Sequence, residues 1–208
     1  MAYESDKTEQ HSRKWQGLCA KLKDFLTVTR YEHSLRVSKE AAKLSIHYGL
    51  DVERAQLAGL LHDVARDFSA DSLIAYANRF GIPIGSLEQI NPLILHAPVG
   101  AAFLKNEWGL DDKAVLRGVA QHTVAAPGMD DFCQIVYLAD IIEPGRREWP
   151  GLLALRNLSY RNLGRAMLLA LEESFNYLRN NKIIIHPQAI EAYDFFLREF
   201  LEQESKKK

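Results

Sequence analysis

Apolar residues recur along the chain at steps of three and four, and no run alternates apolar with polar residues over a useful length. The spacing predicts helices at about 13–26, 30–48, 51–65 and 70–80. Gly49 stops the second as a C′ residue, while Ser69 caps the fourth and Gly81 with Pro83 closes it. Pro98 suits the first turn of the next helix, which Gly109 ends. Asp111 caps a helix to about 122, and Asp130 or Asp131 caps one that Pro144 ends. "GLLALRNLSY" (151–160) follows, then a long segment at about 161–180 and a last helix opening at Pro187. "ESKKK" reads as a frayed, solvated tail. Without an internal repeat or a linker rich in Gly, Pro or Ser, the expectation is one all-α helical bundle over 13–204. A flexible segment at 1–12 precedes it and a basic tail at 205–208 follows.

Four of the apolar faces carry a polar side chain. His33 shares a stripe with Val37, Ala41, Leu44 and Tyr48, and His62 shares one with Ala55, Ala58 and Ala65, small residues that let another helix approach closely. His122 lines up with Val115 and with Gly118 or Val119, and Asp140 with Cys133 and Val136. In "AGLLHDVARD" (58–67) Asp63 directly follows His62. Neighbours on a helix point about 100° apart, so both can reach one ion at the helix edge. Singly, each residue has an ordinary reading: a core histidine satisfied by a hydrogen bond, Asp140 as a buried acceptor, Asp63 as a local cap. Together, two carboxylates among imidazoles favour a shared cation, because an unpaired buried carboxylate costs several kcal/mol. Neutral imidazoles and carboxylates suit Fe, Mn, Co or Zn.

The chain of 208 residues is long enough for one substantial core. A hydrophobic content of 47% and a charged content of 25% are those of an ordinary globular protein. The net charge of −1 leaves no basic field that would point to nucleic acid, whereas a phosphorylated small molecule needs only a local cluster of Arg or His. Cys19 and Cys133 form no CxxC pair and read as buried thiols in a reducing cytosol. The start, "MAYESDKTEQHSRK", is too polar for a signal peptide or anchor, and "LILHAPVGAAFL" (93–104) is too short to span a bilayer, so a cytoplasmic protein without a membrane partner is expected. "GIPIGS" (81–86) has two glycines but no P-loop pattern, and Cys133 lacks a nearby base for nucleophilic chemistry.

The blocks "RYEHSLRV" (30–37), "LLHDVARD" (60–67), "LILHAPVGA" (93–101), "QHT" (121–123), "YLADIIEPGR" (137–146) and "IIIHP" (183–187) occur in that order. Their H…HD…D series resembles the signature of the HD-domain metal-dependent phosphohydrolases. The whole set resembles the bacterial YqeK family, symmetrical bis(5′-nucleosyl)-tetraphosphatases that split diadenosine tetraphosphate into two ADP. The resemblance covers about residues 28–200 and implies a single HD-domain helical bundle. It implies metal ligation by His33, His62, Asp63 and Asp140, iron being the usual ion and Mn, Co or Zn the alternatives. It further implies nucleotide and phosphate contacts from Arg30, Arg66, Asp67, His96, His122, Thr123 and Arg146, with Ile183, Ile184, Ile185, His186, Pro187 and Gln188 along the nucleoside of the dinucleoside polyphosphate or ADP. Family members are often homodimers.

Two departures stand out. After His122 the family tends to read Thr-Thr-Gly-Arg, where this chain has Thr123-Val124-Ala125-Ala126, and Arg66 stands where Lys is common. On this reading a bound cation lowers the pKa of water from about 15.7 toward 7, and hydroxide attacks a central phosphorus with ADP leaving. Asp67 is the candidate to orient that water or take its proton. His96 and His122, if protonated, offset charge together with Arg30, Arg66 and Arg146. A one-metal centre is favoured over a two-metal centre completed by His96 and His122. The rivals are an HD phosphohydrolase acting on a nucleoside monophosphate or a guanosine polyphosphate, and a non-catalytic nucleotide- or metal-binding module.

Overall fold

Helices in this chain begin and end where side chains satisfy the backbone groups that a helix leaves unpaired. The computed structural model describes residues 15–206, and among them there is helix but no strand, as an all-α chain requires. α1 (15–23) leads into α2 (Val28–Tyr48), which Gly49 ends with φ +67, a left-handed conformation that only glycine adopts without strain. Asp51 caps α3 (Val52–Leu61) by accepting the Arg54 N–H, and Ser69 caps α4 (Ala70–Phe80) by accepting that of Ser72. Two short elements follow, α5 (Ser86–Ile90) and a 3₁₀ turn at Pro92–Leu95, neither of which the periodicity predicts. α6 (His96–Trp108), α7 (Lys113–Gln121) and α8 (Asp131–Ile142) build the centre of the bundle. α9 (Leu152–Ser159), α10 (Leu163–Asn180) and α11 (Pro187–Ser205) complete it.

Several boundaries differ from the sequence expectation. α7 is capped by Asp112 rather than Asp111, its carboxylate accepting the N–H groups of both Ala114 and Val115. α1 ends at 23 rather than 26, and the helical end of α11 takes in Ser205, inside the stretch expected to fray. The expected flexible segment 1–12 and the last two residues, 207–208, lie outside the described residues. α3 stops at Leu61, short of 65. Beyond it the chain tightens into turns, with Val64 N–H on Leu61 O and Arg66 N–H on Asp63 O, so that His62 and Asp63 sit at the mouth of α3 instead of within it.

α2 packs along α3 and crosses α8, while α7 contacts α3, α6 and α8. α2 and α3 approach closely at Gly59, where a Cβ would lie 2.9 Å from Ser38 Cα and 3.0 Å from Val37 O. Gly118 is similarly tight, its position bounded by Phe132, Val136 and Ala58. Rings pin the turn after Asp63: Phe68 meets Phe103 of α6 at 5.4 Å, and Phe25 meets Phe103 at the same distance. Among the described residues no helix is long and apolar enough to cross a membrane.

Candidate metal centre

Three buried histidines share one local device. His62 Nδ1 lies 2.8 Å from Gly59 O, His96 Nδ1 2.6 Å from Leu93 O, and His122 Nδ1 2.7 Å from Val119 O. Each partner is the carbonyl three residues back, at the end of a helical turn. A carbonyl can only accept, so Nδ1 carries the proton and Nε2 presents a lone pair. His33 is oriented in the same sense by a side chain, with Nδ1 donating to Glu143 Oε1 at 3.0 Å.

The lone pairs meet the carboxylates. His33 Nε2 lies 2.8 Å from Asp140 Oδ1 and 4.0 Å from Asp63 Oδ2. His62 Nε2 lies 3.5 Å from Asp63 Oδ2 and 3.6 Å from Asp140 Oδ1. The ligand atoms of His33, His62 and Asp140 fall within 4.8 Å of one another, and so do those of His62, Asp63 and His122. His33 Nε2 and His62 Nε2 are both buried without a hydrogen-bond partner. Lone pairs facing carboxylate oxygens repel unless a positive charge lies between them, so the donor set fits a divalent cation. On the other side of Asp63, His96 Nε2 and His122 Nε2 are 3.0 Å apart and lie 3.3 and 3.5 Å from Asp63 Oδ1. Thr123 Oγ1 sits 3.1 Å from His96 Nε2 and 3.3 Å from His122 Nε2.

The electrostatics agree. Burial opposes ionisation of Asp63, but His62, His122 and His96 hold its carboxyl well below the ordinary value. Burial likewise opposes that of Asp140, where Arg146, His33 and His62 outweigh it. For His62 burial disfavours the charged ring, yet Asp63 and Asp140 raise its pKa, which marks a point where positive charge is wanted. Burial dominates at His122 and lowers its pKa, favouring the neutral imidazole.

Arginines border the carboxylates. Arg30 Nη1 donates to Asp63 Oδ2 at 3.1 Å, and Arg146 donates through Nε to Asp140 O at 2.7 Å and through Nη2 to Asp140 Oδ1. Arg66 is half-buried beside them, and burial together with Arg30 depresses its pKa. Asp67 is exposed, and its Oδ2 accepts the backbone N–H of Thr27 at 2.8 Å. A cleft of about 600 Å³ reaches the histidine pair through Thr123 and is lined also by Leu95, Ala97, His186, Pro187 and Gln188, whereas His33, His62, Asp63, Asp140, Arg30, Arg66 and Arg146 do not line it. Of the expected nucleoside segment, Ile185 lines a different cavity of about 360 Å³, and Ile183 and Ile184 are exposed. The Glu88 carboxylate, which sequence reading passed over, lies on the cleft wall 2.8 Å from His186 Nε2.

Glu143 was also missed. It stands one helical turn after Asp140 in "ADIIEPGR", and that spacing is the signal that could have found it. Cys133 is buried as expected, its thiol pushed up to about 12 first by burial and then by Asp130, while Cys19 is only partly buried.

Residues 30–145 match the HD domain family. The chain is 30% identical over 176 residues to a Bacillus subtilis protein named bis(5′-nucleosyl)-tetraphosphatase, symmetrical, covering 85% of this chain and 94% of that one. It is 31% identical over 178 residues to a protein of the same name from Halalkalibacterium halodurans, covering 86% and 94%. Among solved structures, a predicted HD superfamily hydrolase involved in NAD metabolism from Clostridium acetobutylicum superposes with a TM-score of 0.86 at 31% identity, covering 89% of this chain and 97% of that one.

Proposed function

This chain belongs to the HD domain family, and we propose that it hydrolyses symmetrical dinucleoside tetraphosphates, converting diadenosine tetraphosphate into two ADP, the activity for which its relatives are named. One observation supports the reading: the ligand atoms of His33, His62 and Asp140 lie within 4.8 Å of one another, and Asp63 Oδ2 lies 3.5 Å from the shared His62 Nε2. These four residues would hold the metal, with iron the expected ion and Mn, Co and Zn the alternatives. A cation bound there supplies Lewis acidity and acidifies water from about 15.7 toward 7.

The remaining work falls to the protein. Arg30, Arg66 and Arg146 offset the charge of the polyphosphate as the central phosphoanhydride opens. Water adds across that bond to give two ADP, its oxygen going to one phosphorus while a proton passes from the attacking water to the departing phosphate oxygen or to solvent. His96 Nε2 and His122 Nε2, 3.0 Å apart with Thr123 Oγ1 beside them, share a hydrogen bond once either ring takes up a second proton, and so form a short path on which that proton moves. Asp67 already receives the Thr27 N–H and so positions the start of α2, three residues ahead of Arg30. His186, Pro187 and Gln188, on the cleft wall with Thr123, support a nucleoside contact there. The net charge of −1 favours a small anion held by local arginines over nucleic acid.

The test is product identification from diadenosine tetraphosphate with purified, metal-supplied protein. ADP as the sole product is expected. ATP with AMP, or preferential turnover of a nucleoside monophosphate or guanosine polyphosphate, would overturn the assignment. ADP binding without any turnover would favour a non-catalytic nucleotide-binding module.

A further inference from the structure

Behind His33 lies a carboxylate that the chemistry above does not use. Glu143 ends α8, is 1% exposed, and is held from several directions. Its Oε2 accepts Arg36 Nε at 2.7 Å and the backbone N–H of Gly145 at 2.5 Å. Its Oε1 accepts His33 Nδ1–H at 3.0 Å, with Arg36 Nη2 more distant at 3.5 Å. The two oxygens thus divide their work: one is anchored by the arginine and the turn, and the other is left to the imidazole. The anchor depends on glycine, since a Cβ at Gly145 would lie 2.3 Å from Arg36 Nε. The backbone is held as well, because Arg156 donates to Ile142 O at 3.0 Å and to Glu143 O at 3.1 Å. A carboxylate fixed this firmly has little freedom to follow the ring, so the ring must follow it.

We propose that Glu143 is a positioning residue that locks His33 in its Nδ1–H tautomer and aims the Nε2 lone pair at the shared cation, with Arg36 and Gly145 holding the carboxylate in place. The inference rests on the metal-centre reading of His33. Partners of this kind orient ligating histidines and strengthen them as donors, and their loss typically weakens metal binding about 10- to 100-fold.

Full-length protein is stripped of metal and titrated with Co(II) against a chromogenic chelator. Glu143→Gln is expected to weaken Co(II) binding about 10-fold or more, and to add little further loss in a His33→Ala background. Binding within twofold of the parent, or a loss undiminished without His33, would overturn the proposal. Should Glu143→Gln lose its helical circular dichroism, Arg36→Gln carries the test, with a smaller loss expected and none overturning it. The tautomer is read separately from imidazole ¹⁵N shifts of the metal-free protein. Glu143→Leu, which leaves Nδ1 no acceptor there, should move His33 toward the Nε2–H form facing Asp140 Oδ1 at 2.8 Å, and an unchanged tautomer would overturn the proposal whether or not metal binds. Parent protein that takes up no Co(II) would instead sink the metal-centre reading, leaving the tautomer result to decide what Glu143 does to the ring.

Discussion

Asp63 touches more of the centre than any neighbour in sequence would suggest: His62, His96, His122 and Arg30 all approach its two oxygens. Asp63→Ala is therefore expected to abolish both hydrolysis and bound metal while leaving far-ultraviolet circular dichroism largely unchanged. Turnover that survives the substitution would contradict the assignment. Backbone strain gives a second residue-scale test. Lys182 and Ala125 both occupy the left-handed region, at φ +57 and +61, but Lys182 is exposed and Ala125 fully buried. The left-handed conformation costs an L-residue about 1–2 kcal/mol. Glycine relieves that cost at the expense of more freedom in the unfolded chain, roughly 0.5–1 kcal/mol. Lys182→Gly should therefore gain about 0.5 kcal/mol in denaturant unfolding. Ala125→Gly should gain nothing, because it also gives up a buried methyl worth about 0.8 kcal/mol. Equal gains at both positions would mean that burial is not what separates them.

At the scale of elements, the α2–α3 crossing sets where His62 lies. Gly59 touches the backbone of Val37 and Ser38, and its carbonyl receives the His62 ring three residues later. Gly59→Ala is expected to push the helices apart at a cost of about 1–3 kcal/mol and to weaken metal binding along with stability. Unaltered metal affinity at reduced stability would separate the crossing from the centre. The cap of α7 also ties two elements together, since Asp112 accepts the Ala114 and Val115 N–H groups and, through Oδ2, Arg54 Nε of α3 at 2.8 Å. Burial opposes its ionisation, but the Val115 N–H and Arg54 hold its carboxyl below the ordinary value. A depressed acid contributes stability that is fully present above its unfolded pKa, near about 4, and is lost as pH falls through the lower folded value. Asp112→Ala should cost about 1 kcal/mol near neutrality, with the gap to the parent narrowing below about pH 4. A gap constant with pH would show that the charge of the cap contributes nothing.

At the scale of the molecule, the proposed ligands arrive from three places: His33 from α2, His62 and Asp63 from the mouth of α3, and Asp140 from α8. A cation bridging them binds the folded chain alone and so stabilises it, by about 2.7 kcal/mol when free metal is 100 times its dissociation constant. Chelation should lower the melting temperature of the parent and leave that of Asp63→Ala unchanged. A parent melting curve indifferent to metal would refute a shared centre.

Chain order alone determined much of this protein. Helical periodicity and caps such as Ser69, Asp130 and Gly49 act over three or four residues, so most helices were legible although several of their ends shifted. His33, His62 and Asp140 were legible too, because each interrupts an apolar stripe. The end of α3 was not: apolar spacing runs on to Ala65, while the backbone tightens at His62 where its ring caps Gly59 O. Nor was the grip of Glu143 on His33, two residues 110 positions apart. Which distant groups meet is decided by helix crossings, and those are selected by close packing at points such as Gly59 and Gly118. Local hydrogen bonding carries no information across that separation, so only the tertiary structure could bring the imidazoles, the carboxylates and the Arg36–Glu143 anchor to one point.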